Sequence, residues 1–185
     1  MLLLETDLNR FSENDIQAII ESLPSSWQAR ILRKKPFRSR LQSAVGYSLL
    51  RQILQEQFGL TALPPLYTDE YGKPHPEADG IFFSISHCRC AVACIAESYP
   101  VAVDVQDDLP PLSPALAERI AFPEPPASLT RQELIACWTQ KEASAKLDGR
   151  GLTIGLENLP FKEHHIKTVE YPTFVLSIAT NVPQR

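Results

Sequence analysis

The chain has 185 residues, a 44 % hydrophobic fraction and a net charge of −4, which fits one globular domain or two small halves and excludes a disordered or strongly basic protein. No apolar run approaches the length of a membrane span, and Met1-Leu-Leu-Leu is interrupted by Glu5 and Asp7 without a basic flank, so a cytoplasmic protein with no membrane partner is expected. The charge is uneven: residues 30–40, RILRKKPFRSR, carry six of the 18 basic side chains and no acid, leaving −10 for the remainder.

Residues 2–7 have the pattern of an edge strand. Ser12-Glu-Asn-Asp15 forms a variant capping box ahead of Ile16, Ile19, Ile20 and Leu23 at helical spacing. A second box is expected at Ser25–Gln28, before a short helix carrying Trp27, Ile31 and Leu32. Pro36 interrupts, and a longer helix follows from Leu41 through Phe58, with Gly59 as its stop. The basic island therefore straddles a helix junction, where cations and backbone N–H groups converge on an anion. Such an island in an acidic chain points to a local anion site rather than a nucleic acid; a solvated helix face is the alternative.

Beyond a Pro64-Pro65 loop, Tyr71-Gly72-Lys73-Pro74 makes a turn that fixes where Lys73 points. Three strands are then expected at Ile81–Ser86, Cys90–Glu97 and Val101–Gln106, with turns at His87–Arg89 and Ser98–Pro100. Asp104 sits inside an apolar run, so its carboxylate must be partnered, bound to metal or neutralised, or accept backbone N–H bonds near the strand end. Residues 107–126 hold six prolines, and only Leu112–Ala121 looks helical there. Thr130-Arg-Gln-Glu133 caps a helix running to about Asp148, followed by Gly149 and Gly151. It places Trp138, Glu142, Ala145 and Lys146 on one face, where Glu142 and Lys146 could be only a surface ion pair. His165–Glu170 and Thr173–Thr180 read as a hairpin. The cysteines lack a Cys-x-x-Cys pair and the four histidines lack zinc spacing, so Cys88, Cys90, Cys94 and Cys137 are expected as small buried hydrophobes in a reducing compartment.

The order of four motifs is specific where each alone is weak. YGKP, then Phe83-Ser-Ile-Ser-His87, then Val101-Ala-Val-Asp-Val-Gln106, then Trp138-Thr-Gln-Lys-Glu-Ala-Ser-Ala-Lys146 with Gly149-Arg-Gly151-Leu resembles the 4′-phosphopantetheinyl transferases of the larger, two-half type. The resemblance implies an α+β pseudo-dimer, each half a small antiparallel sheet packed with helices, divided as 1–100 and 101–185. It implies transfer of phosphopantetheine from coenzyme A to a serine of an acyl or peptidyl carrier protein, with Mg²⁺ as cofactor and a monomeric enzyme. Asp104, Glu142 and Gln106 would then hold the metal; Glu142 would serve as base and Lys146 would lie nearest the reacting phosphate. Lys73, Ser86, His87 and Lys141 would hold the nucleotide phosphates. Two positions depart from the family pattern. Gln106 stands where a second acidic ligand is usual, and Gln42 stands where an arginine is usual, with Arg38 or Arg40 as nearby substitutes. A non-catalytic coenzyme A or nucleotide-binding module of the same fold is the alternative.

Overall fold

The computed structural model describes residues 1–109, 113–150, 155 and 163–182. Among the described residues, eight strands and five α-helices follow in the order β1 (Leu2–Glu5), α1 (Glu13–Glu21), α2 (Ser25–Leu32), α3 (Phe37–Glu56), β2 (Leu66–Thr68), β3 (Pro74–Pro76), β4 (Phe82–His87), β5 (Val92–Glu97), β6 (Val101–Gln106), α4 (Pro114–Ala121), α5 (Arg131–Asp148), β7 (His165–Glu170) and β8 (Val175–Thr180). The class is mixed helix and antiparallel sheet. Gly151 and Leu112, named from the sequence, lie outside the described residues.

Two three-stranded sheets carry the fold, ordered β1-β5-β4 and β6-β8-β7. In each, the chain enters on one edge, passes through a long helix, and returns as a hairpin whose last strand lies in the middle. Strand parity decides what each face meets. Phe83, Val92, Cys94 and Ala96 pack under α1–α3 with Trp27, Ile31, Leu50 and Ile53. Ala91, Ala93 and Ile95 face the other sheet and bury against Val101, Val103, Val105, Leu176 and Ile178. The alternate residues of the second sheet, Ala102 and Ala179, receive Ala143 and Leu147 of α5. Asp104 shares that parity, so the strand period alone turns it towards α5.

β4 and β6 are both sheet edges, and side chains join them. The Ser86 hydroxyl donates to Asp104 (2.7 Å) and accepts the Val105 N–H (3.2 Å), while Ser84 donates to the Val103 carbonyl (3.4 Å). Two serines thus occupy polar groups that an exposed edge would offer to another chain.

Several local expectations shift. The boxes at Ser12 and Thr130 form as read, each with its reciprocal side-chain and backbone bonds. The expected box at Ser25 does not: Pro24 is the N-cap of α2, Ser25 is already helical, and the Gln28 amide reaches back to the Leu23 carbonyl (2.8 Å). The turn after β4 runs one step later than expected, closed by the Cys88 N–H on the Ala91 carbonyl (2.9 Å). The small hairpin β2–β3 was hidden by prolines at 64, 65, 74 and 76, which weaken any strand signal.

Gly46 marks the closest approach of α3 to the first sheet. A Cβ there would lie 2.6 Å from Ile85 Cγ2, the branch methyl of a β-strand side chain with little room to turn away. Gly46→Ala should therefore destabilise by about 1–3 kcal/mol through overpacking, despite alanine's better helix propensity. Urea unfolding should show a lower midpoint; an equal or higher one would mean the helix can lift freely.

Candidate functional site

Among the described residues, Asp104 is the most deeply buried carboxylate, with 2 % of its surface exposed. Its Oδ1 accepts from Ser86 Oγ and from Lys146 Nζ (2.6 Å), and its Oδ2 accepts from the Gln106 amide (3.0 Å). Lys146 also donates to Ser86 Oγ (2.8 Å) and to the Val103 carbonyl (3.3 Å). One ammonium on α5 therefore ties β4 to β6 at the seam. Lys146 meets Asp104 across the fold, which sets aside the reading of Glu142 and Lys146 as a mere surface pair.

Glu142 lies one helical turn before Lys146, half-buried. Burial and the neighbouring Asp104 carboxylate push its pKa up to about 7, against a smaller downward pull from Lys146. A carboxyl raised by burial and by a second acid, beside a lysine, forms a site able to hold a cation or pass a proton near neutral pH.

A cavity of about 590 Å³ opens beside this cluster. Its wall is built from α2 and its C-terminal turn (Arg30, Arg33, Lys34), from α3 (Ser43, Tyr47), from the β2–β3 turn (Tyr71 to Pro74), from the other parity of β4 (Phe83, Ile85, His87) and from the end of α5 (Ala145, Lys146, Gly149). Asp69 organises the turn: its carboxylate accepts the N–H groups of Tyr71 (3.0 Å) and Lys73 (2.8 Å) and pairs with His75 (2.8 Å). Gly72, at φ 88°, supplies the left-handed residue this turn needs. Lys73 is thereby fixed, its ammonium donating to the Lys146 carbonyl (2.8 Å). Desolvation holds the Lys73 pKa below the usual lysine range, partly offset by Asp69 and Asp148. The crowding of the wall, then Lys146 and Lys34, keep His87 below the ordinary histidine value although its side chain is open to solvent.

The residues named from the sequence divide accordingly. Lys73, His87 and Lys146 line the cavity, and Ser86, Asp104, Gln106 and Glu142 cluster beside it, joined to its wall through Lys146. Lys141 is turned elsewhere: its ammonium reaches the carbonyls of Arg119 (2.5 Å) and Phe122 (3.2 Å) after α4. Arg38 and Arg40 also point away, to the Arg89 carbonyl and to the Lys35 carbonyl (2.6 Å) respectively. Three of the basic island's other four members, Arg30, Arg33 and Lys34, line the cavity. The α2 periodicity held the signal, since Trp27 and Ile31 inward leave Arg30 and Lys34 on adjoining faces. Gln42 is buried and donates to the Cys88 carbonyl (2.7 Å). Cys88 and Cys94 are buried as expected, but Cys88 and Cys90 also converge on Asp107, which sequence spacing did not reveal.

Glu142 gives a stability test in the absence of ligand. A carboxyl raised from 4.5 to about 7 binds its proton more tightly folded than unfolded. Its contribution is complete below about pH 4.5 and is lost as pH rises through about 7. The melting temperature of wild type relative to Glu142→Gln should therefore fall across that window. A difference that stays flat from acid to neutral pH would place Glu142 in solvent.

No family model matches the chain. Among curated proteins it is similar to the 4′-phosphopantetheinyl transferase Sfp of Bacillus subtilis (strain 168), 26 % identical over 132 residues covering 66 % of this chain and 58 % of that protein. The 4′-phosphopantetheinyl transferase ffp of Bacillus subtilis is 27 % identical over 132 residues, with the same coverage. The 4′-phosphopantetheinyl transferase gsp of Aneurinibacillus migulanus is 25 % identical over 152 residues, 78 % of this chain and 63 % of that protein. The chain thus spans about three-fifths of the length of the curated relatives it matches.

Proposed function

We propose that this chain, which belongs to the 4′-phosphopantetheinyl transferase superfamily, transfers the 4′-phosphopantetheine group of coenzyme A to a serine hydroxyl of an acyl or peptidyl carrier protein. The observation that carries this reading is the juxtaposition of the Asp104–Ser86–Lys146 cluster and Glu142 with a cavity walled by Arg30, Arg33, Lys34, Lys73 and His87. A nucleotide with several phosphates matches a cleft walled by cations, one of which, Lys146, also holds the acid beside it.

In this reading Arg33, Lys34, Lys73 and His87 bind and orient the nucleotide phosphates. The α2 C-terminus, the Asp69-centred turn and strand β4 bring them to one wall. Lys146 presents its ammonium to the reacting phosphate, where negative charge grows as the bond to the leaving 3′,5′-ADP breaks. Glu142 accepts the proton of the carrier serine as its oxygen forms the new phosphoester. Lys141, Arg38 and Arg40 donate to backbone carbonyls in the structure and are left out of this reading.

The donor set suits Mg²⁺: a hard cation takes one or two carboxylates and a neutral oxygen, and the mutual repulsion recorded at Glu142 is what a cation would relieve. Asp104, Glu142 and the Gln106 amide oxygen would hold it, after the amide turns from its present N–H contact with Asp104. When bound, the ion would supply positive charge for the pyrophosphate.

Incubation with coenzyme A, Mg²⁺ and an apo carrier protein, followed by mass spectrometry of the carrier, tests the reaction. Transfer supports the reading; coenzyme A binding without transfer would instead identify a binding module. Gln106→Glu restores an acid of nearly the same shape and should lower the Mg²⁺ concentration for half-maximal transfer. An unmoved magnesium titration would remove residue 106 from the metal.

The wall composition makes a separate prediction for affinity. Arg33→Ala and Lys34→Ala should each weaken coenzyme A binding by about tenfold, the loss of one charge-assisted phosphate contact. Arg38→Ala and Arg40→Ala should stay close to wild type in calorimetry. The reverse ranking would move the nucleotide to the other side of α3.

A further inference from the structure

The β4–β5 turn holds a constellation with no part in the proposed transfer. Cys88 and Cys90 sit two residues apart with their sulfurs separated by 3.8 Å. The Asp107 carboxylate, just beyond β6, brings an oxygen within 4.8 Å of both sulfurs. The turn is tightly held: the Cys88 N–H closes on Ala91, Gln42 donates to the Cys88 carbonyl, and Arg38 donates to the Arg89 carbonyl. Two side chains whose sequence positions suggested a phosphate role fix this turn instead.

We propose that Cys88, Cys90 and Asp107 form a second cation site, specific for a thiophilic divalent ion of the Zn²⁺ class and distinct from the magnesium site. Two thiolates on a tetrahedral zinc, each about 2.3 Å from the metal, lie about 3.8 Å apart, which is the separation already present. The carboxylate oxygen beside the two sulfurs adds a third ligand of a kind that zinc takes. The fourth position falls to water or to the Thr173 carbonyl, which Cys90 Sγ already approaches at 3.4 Å. Binding forms two metal–sulfur bonds and one metal–oxygen bond, and releases the two thiol protons to solvent. It also frees the Arg89 guanidinium, now 3.0 Å from Asp107 and otherwise exposed, into water. Sulfur ligands discriminate against Mg²⁺, so each ion would keep to its own site. The bound ion would join the β4–β5 turn to the end of β6, a covalent-strength link between the two sheets beside His87.

Metal-stripped, reduced full-length protein in excess Mg²⁺ is titrated with Co²⁺ and then Zn²⁺, with absorbance as the readout. The expected result is one cobalt per chain with a thiolate-to-cobalt charge-transfer band, bleached by Zn²⁺ and absent in Cys88→Ser and Cys90→Ser. Asp107→Asn should keep the band but weaken cobalt binding by about tenfold, a charged ligand having become neutral. Arg89→Ala, an exposed change, should tighten it by freeing the carboxylate. These last two variants keep the test decisive if the serine variants fail to fold. The proposal is overturned by the absence of the band in reduced wild type or by its persistence in a folded serine variant. Unchanged affinity in both Asp107→Asn and Arg89→Ala would overturn it as well.

Discussion

The buried carboxylate of Asp104 is the constraint around which the interior is arranged. Taking that charge out of water costs several kcal/mol, and the cost is met by three donors that come from three elements: Ser86 from β4, Lys146 from α5 and Gln106 from its own strand. Removing a partner from such a pair typically costs about 3–5 kcal/mol, so the elements cannot drift apart independently. The position of α5 over the second sheet, and of the first sheet's edge against it, follows from satisfying one side chain.

The same arrangement explains why the cavity lies where it does. β4 shows Ser84 and Ser86 to the second sheet and Phe83, Ile85 and His87 to the cleft, so one strand serves both the seam and the wall. Lys146 does likewise on α5, binding the seam through its ammonium while its carbonyl receives Lys73 from the β2–β3 turn. Anything that enters the cavity and attracts Lys146 must compete with Asp104 for it. The interior charge and the ligand surface are thereby coupled through a single flexible side chain.

Much of this was legible in the chain because it depends on period and order. Alternation gave the three central strands, capping boxes gave the starts of α1 and α5, and four short motifs in sequence pointed to the cluster around Asp104 and Glu142. What could not be read was direction. Lys141 and Lys146 are five residues apart on one helix, yet one reaches Asp104 and the other the carbonyls at the end of α4. The island at 30–40 was visible as charge, but which of its members face inward depends on the Pro36 break and on how α2 packs through Trp27 and Ile31. Cys90 and Asp107 are separated by two whole strands, β5 and β6, and only the return of the chain along β6 to the β4–β5 turn brings them together.

The apolar layer between the sheets carries a consequence for the chain's connectivity. Ala91, Ala93 and Ile95 on one side and Val101, Val103, Val105, Leu176 and Ile178 on the other form one shared core, while the covalent link between the sheets is only the short turn from Ser98 to Pro100. A backbone cut in that turn would sever no packed element, yet it would leave each fragment with an uncovered hydrophobic face. Two such fragments are complementary rather than autonomous: produced apart they would aggregate, and produced together they carry what is needed to find one another and rebuild the interior.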